Sequence, residues 1–123
     1  MILVDSSIWI DYFKSGAHRH LSQLLLDDLV VTNDIILSEL IPSAKIRNER
    51  ELIEGLYSLP KVDLEIDWEA IRLLQILNLQ HGINKVGLAD LVIVQSAIQN
   101  DHTLWSMDKH FYLMQEHVSL KLY

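Results

Sequence analysis

The segment Ile2-Leu3-Val4-Asp5-Ser6-Ser7-Ile8-Trp9-Ile10-Asp11-Tyr12-Phe13-Lys14 changes character at one residue. Ile2 to Val4 is an apolar run that stops at Asp5, as a strand buried on both faces does. From Ser6 to Lys14 the apolar residues Ile8, Trp9, Tyr12 and Phe13 recur at helical spacing. A strand that enters a helix through an acid begins a crossover unit, and the alternation continues along the chain.

A second helix is expected over His18 to Leu26, and Leu29-Val30-Val31-Thr32 has the composition of another buried strand. Asn33 or Asp34 can cap a helix to about Ile41, with Pro42 as its breaker. Arg47 to Ser58 forms a charged helix with Leu52, Ile53 and Leu56 on one side. Pro60 ends it, and Val62 to Ile66 alternates as a short strand. Asp67 caps a helix to about His81, with Gly82 as the stop. Gly87 to Gln99 is apolar almost all round, which predicts a deeply buried helix. Thr103-Leu104-Trp105 is a strand, Asp108 to His117 a helix and Val118 to Leu122 a last strand.

Strands alternating with helices imply crossovers that cover both faces of a parallel sheet. The expected class is α/β: three layers, α/β/α, around a central, mainly parallel sheet of four to five strands. The 123 residues suit one domain, 1–123, with no Pro/Gly/Ser linker inside it. In such sheets ligands gather at the carboxyl ends of strands, where the strand order reverses. Asp5 and Asp108 fall at those ends.

A net charge of −7 excludes a protein that holds nucleic acid by bulk positive charge. A phosphate polymer would need a local basic patch or bound cations. With no cysteine there is no disulfide framework and no thiolate zinc site. Apolar runs such as Leu91 to Val94 fall far short of a membrane span. The start lacks the basic region of a secretory signal, so a cytoplasmic protein without membrane contact is expected.

Each of four acids has a plain structural explanation. Asp5 and Asp108 can cap the helices they precede, although Phe111 stands where a capping box would put Glu or Gln. Glu39 lies four residues from Ile35 and three from Ile36, inside an apolar arc, where an ion pair with Lys or Arg would serve it. Ser38 points away from that arc. Asp90 interrupts Leu88-Ala89-Asp90-Leu91-Val92-Ile93-Val94, where desolvation outweighs the gain from the helix dipole. Something positive belongs beside it. Four such acids together point instead to a shared hard cation, Mg²⁺ or Mn²⁺, held by oxygen ligands. The six histidines show no metalloprotease spacing. His18 and His20, two apart, would face different sides of a helix, and the histidines are expected to be mostly surface or structural.

The stretches Ile2 to Ile10, Ser38-Glu39-Leu40, Gly87 to Ala97 and Leu104 to Phe111 together resemble PIN-domain ribonucleases, specifically the VapC-type toxins of toxin–antitoxin systems. The resemblance spans nearly the whole chain and makes the expected sheet PIN-like. It implies that Asp5, Glu39, Asp90 and Asp108 form the acidic catalytic and metal site. Ser6 and Ser106 would be supporting hydroxyls that bond a ligating carboxylate or a water at the metal. It further implies Mg²⁺- or Mn²⁺-dependent endonucleolytic cleavage of RNA, transfer RNA included, leaving 5′-phosphate and 3′-hydroxyl ends. A VapB-like antitoxin and a homodimer are the partners it implies.

Lys14, Lys45, Arg47, Arg50, Lys85 and Lys109 are the candidate RNA contacts, densest over Lys45 to Arg50. That cluster also reads as a solvated helix face balanced by Glu49, Glu51 and Glu54. Trp9, Tyr12 and Phe13 could stack on bases or pack in the core or a dimer contact. Two other classes stay open on sequence: a PIN-like module that binds RNA or protein without cutting, and a receiver-like or aspartate phosphotransfer domain. The second fits poorly, because Ser6 and Ser7 follow Asp5 where such sites need further acids.

Overall fold

Ile2–Val4 forms β1, flanked on both sides by parallel neighbours in a computed structural model that describes residues 1–123. β2 is Val30–Val31 and β3 is Thr103–Trp105, giving the order β2-β1-β3. Leu3 is in register with Val31 on one side and Leu104 on the other, and Val4 with Trp105. The helices are α1 (Ser6–Ser15), α2 (Leu21–Leu26), α3 (Asp34–Ile46), α4 (Arg50–Tyr57), α5 (Trp68–Gln80), α6 (Leu88–Gln99) and α7 (Lys109–Met114).

The chain leaves β1 toward β2 and then crosses back to β3 on the far side of β1. Right-handed crossovers in opposite directions place their helices on opposite faces, which yields the expected three layers. The reversal puts a crevice at the carboxyl ends of β1 and β3.

The sheet is narrower than the expected four to five strands. Val62–Ile66 and Val118–Leu122 do not form strands; the only pairing there is one parallel bridge each, Thr32 with Lys61 just before the first segment and Leu104 with Leu122 in the second. Val62, Leu64, Val118 and Leu122 are half-buried against the core. Their alternation therefore records burial of one side, without the ladder of hydrogen bonds that a strand requires.

Pro42 does not end α3, which continues to Ile46. Proline removes the amide that would bond the Ser38 carbonyl. Ser38 and Pro42 are both exposed, so water can satisfy that carbonyl, while Leu40, Ile41 and Ala44 anchor the opposite side in the core. The expected helix over Arg47–Ser58 begins only at Arg50, after a turn in which Asn48 has a positive φ of 57°. The helix expected from His18 starts at Leu21, and the one expected to reach His117 stops at Met114.

α6 is the buried spine: every residue from Leu91 to Ala97 is buried. With Leu3, Ile8, Ile36, Leu104, Phe111 and Met114 it forms one continuous core. Each such large side chain contributes about 1.5–3 kcal/mol of burial. That core fixes the strand ends and the first turn of α6 from which the acids project. No helix is long and apolar enough to cross a membrane.

Candidate metal centre

Asp5 occupies the N-cap position of α1, but its side chain caps nothing. Its Oδ2 instead accepts hydrogen bonds from Ser106 Oγ at 2.7 Å and Ser7 Oγ at 2.9 Å. No protein donor reaches its Oδ1. The residue is only 6% exposed. A buried carboxylate oriented by two hydroxyls, with one oxygen left over, is a poor cap and a good ligand.

Asp108 does cap α7, accepting from the His110 amide at 2.9 Å through Oδ1. The capping explanation therefore holds for one oxygen of Asp108. Its amide donates to Ser106 Oγ at 3.0 Å, so Ser106 ties the two strand-end acids together.

Asp90 stands in the first turn of α6 and is half-buried. Its carboxyl is held above the ordinary value first by desolvation, then by the charges of Asp108 and Asp5. The His110 ring partly offsets this. Glu39 projects from α3, and its carboxyl is likewise raised, by desolvation first and then by Asp5 and Asp90. Ser6 Oγ lies 3.4 Å from Glu39 Oε2 and favours the ionised form.

The expectation that Glu39 faces the core is corrected: the residue is exposed, at the rim of the crevice. It sits at the edge of the apolar arc, so its carboxyl end reaches Asp5 and Ser6 while the rest meets solvent. No lysine or arginine lies within 4.0 Å of Glu39, Asp90, Asp5 or Asp108. The ion-pair explanation for Glu39 thereby fails.

The group beside Asp90 that partly offsets the raised carboxyl is the ring of His110. Ligand atoms of Asp90, Asp108 and His110 all lie within 4.8 Å of one another. His110 was hidden because its signal is only an Asp-x-His spacing at a helix start. Ser7 also goes unmarked by the sequence; it donates to Asp5 and accepts from the Met107 amide at 3.1 Å. The sequence cannot say which of two neighbouring serines turns toward a turn a hundred residues away.

His18 and His20 do not face apart. The helix begins after them, and both rings pack on Trp105, with centroids 5.5 and 4.5 Å away. The bulky residue at the end of β3 is thus buried in an aromatic cluster that includes Tyr123.

From Glu39 a groove of about 800 Å³ runs between α1, α3 and α4. Phe13, Lys14, Arg47 and Arg50 line it, whereas Asp5, Asp90 and Asp108 do not. Lys45 projects elsewhere from α3. Lys85 sits in the loop before α6 with a positive φ of 64°, and Lys109 follows Asp108 directly. None of these six cations forms an ion pair within 4.0 Å, and Glu49 and Glu51 line the same groove. Trp9 is buried and stacked on Phe13 at 5.5 Å, while Phe13 itself is exposed in the groove.

Carboxylates oriented by hydroxyls thus gather at the topological reversal of a parallel sheet, with no lysine or arginine among them. The model of the PIN domain family matches residues 2–116, and the chain belongs to that family. No curated protein matches it. Among solved structures, VapBC2 from Rickettsia felis, bound to a promoter DNA fragment, superposes with a TM-score of 0.77 at 19% identity. The overlap covers 100% of this chain and 98% of that one. DNA-bound VapBC from Salmonella typhimurium gives 0.77 at 16% identity, covering 99% and 96%. VapBC-1 from nontypeable Haemophilus influenzae gives 0.70 at 23% identity, covering 100% and 97%. At these identities the likeness establishes the fold.

Proposed function

We propose that the protein is the endoribonuclease toxin of a toxin–antitoxin pair, cutting RNA phosphodiester bonds with the help of Mg²⁺ or Mn²⁺. The supporting observation is the convergence of Asp5, Glu39, Asp90 and Asp108, with the carboxyls of Glu39 and Asp90 raised by burial and by their acidic neighbours and no lysine or arginine among them. Such crowding is relieved by a divalent ion, and an all-carboxylate oxygen set suits Mg²⁺ or Mn²⁺. Bound there, the ion would lower the pKa of an attacking water and offset charge on the phosphate.

The chain's own residues supply the rest. Ser106 and Ser7 hold the Asp5 carboxylate with Oδ1 turned free, and Ser6 holds Glu39. Lys14, Arg47 and Arg50 in the groove, with Lys45, Lys85 and Lys109 farther out, give an acidic protein its contacts to the RNA backbone. Phe13 offers an exposed ring for a base. Transfer RNA is one proposed substrate beside messenger and ribosomal RNA, and the cytoplasm is the proposed location.

The solved structures named above are VapBC proteins, and a VapB-like antitoxin is the proposed inhibitor. A homodimer is also proposed: α5 exposes Trp68, Leu73, Ile76 and Leu79, an apolar face that a second copy would cover. The single domain spans 1–123. The family match sets aside a receiver-like or phosphotransfer domain.

The test is cleavage of single-stranded RNA by purified protein with Mg²⁺ or Mn²⁺. Asp5→Ala and Asp90→Ala should abolish it. Equal behaviour of wild type and variants would leave only a non-cleaving RNA- or protein-binding module.

A further inference from the structure

His110 is the one histidine whose ring faces carboxylates from two separate segments, Asp90 of α6 and Asp108 before α7. The other rings have different employment. His18 and His20 pack on Trp105, His81 bonds the Leu77 carbonyl, and His117 bonds Asn78. His102 is half-buried beside Asp101, outside the acid cluster.

Its Nδ1 lies 3.4 Å from Asp108 Oδ1, and no hydrogen bond joins the two; that oxygen is already taken by the His110 amide. Both side chains are partly open to solvent, the ring 27% and the carboxylate 33% exposed. A ring nitrogen and two carboxylates grouped within 4.8 Å, without satisfying one another, have the spacing of three donors that share one ion.

We infer that His110 is a nitrogen ligand which, with Asp90 and Asp108, biases the site toward Mn²⁺-like transition ions over Mg²⁺. Mg²⁺ prefers oxygen ligands and gives up its waters reluctantly. An imidazole nitrogen adds little to its binding and more to that of first-row transition ions. This specificity rests on the proposed metal-dependent nuclease function, but it concerns one side chain that the four-acid set does not include.

The test is binding, without RNA. Wild-type protein is titrated with Mn²⁺ and Mg²⁺ separately, and the Mn²⁺-loaded protein is examined by electron spin echo envelope modulation. The expected result is a ¹⁴N coupling that vanishes in His110→Ala and changes to that of ¹⁵N on histidine labelling. His110→Ala should lose about tenfold in Mn²⁺ affinity, at the lower end of ligand-shell effects, and stay within about twofold for Mg²⁺. His110→Gln gives a second variant that keeps the helix start polar, and metal-free melting curves check that both fold.

Absence of nitrogen coupling in wild type, or its survival in both variants, overturns the assignment of His110. So does an equal loss of affinity for both ions. If wild type binds neither ion while Asp90→Asn changes nothing, the metal-dependent nuclease function itself fails.

Discussion

Ser106 Oγ donates to Asp5 Oδ2 at 2.7 Å across 101 residues of chain, and the same oxygen accepts the Asp108 amide at 3.0 Å. One buried hydroxyl thus sets both the orientation of the acid after β1 and the turn that delivers the acid after β3. Parallel pairing of Val4 with Trp105 brings the next residues, Asp5 and Ser106, side by side. The register of two strands is therefore what assembles this half of the site.

Ser106→Ala should cost about 1 kcal/mol of stability, the net worth of a buried hydrogen bond. The larger effect is expected on function, about 10–100-fold in kcat/KM and in metal affinity, because Asp5 loses a donor that fixes its rotamer. Ser106→Thr should recover most of both. Ser7→Ala should be milder, since Ser106 still holds Oδ2. Melting curves beside RNA-cleavage kinetics separate the two effects.

Asp90→Asn should raise the melting temperature of metal-free protein at pH 7. The carboxyls of Asp90 and Glu39 are raised, so the folded state binds more protons than the unfolded chain between their unfolded and folded values. Stability from these groups falls as pH climbs through that window and stays low above it. Asp101, lowered by Lys121, and His102 and His117, lowered by burial, slope the opposite way. Those groups are common to both proteins, so the difference between wild type and Asp90→Asn isolates the acid cluster. The difference should shrink as pH drops below the raised carboxyl values. Mn²⁺ should reverse the order, adding about 2.7 kcal/mol to wild type at a hundred times its Kd.

Elements announced by continuous apolar runs could be read directly: β1, β3 and the middle of α6 are buried, so apolar residues are expected at nearly every position, and Asp5 and Asp90 stand out at their ends. Where burial is one-sided the sequence is ambiguous. Val62–Leu64 alternates as a strand would, yet pairs only through Lys61. Glu39 falls in an apolar arc by counting, but the arc has an edge, and rotation about the α3 axis decides which side of it a carboxyl meets. His110 and Ser7 act through tertiary neighbours supplied by α6 and the Ser106–Met107 turn, which local spacing does not encode.

Pro42→Ala is expected to stabilise the fold. Proline in a helix interior costs up to about 3 kcal/mol through the missing amide and the clash with the preceding turn. Here the backbone already follows the helix on both sides of Pro42, and the freed Ser38 carbonyl is at the surface. Alanine restores a donor without entering the core. A melting temperature unchanged or lowered by the substitution would show that the proline is accommodated without strain.

The groove makes a quantitative demand on RNA binding. Arg47 and Arg50 line it beside Lys14 and are free of ion pairs, whereas Lys61 is paired with Asp34 at 3.3 Å. For single-stranded RNA each phosphate contact contributes about 0.7 to the slope of log affinity against log salt. Arg47→Ala and Arg50→Ala should each weaken binding to catalytically inactive Asp5→Asn protein and reduce that slope by about 0.7. Lys45→Ala, which removes a cation outside the groove, should do less, and Lys61→Ala should leave the slope unchanged. Because the protein carries a net charge of −7, a general charge effect would instead make all four substitutions equivalent. Equal slopes across the four would therefore remove the groove as the RNA path, while a graded series would place the backbone along α3 and α4 toward Glu39.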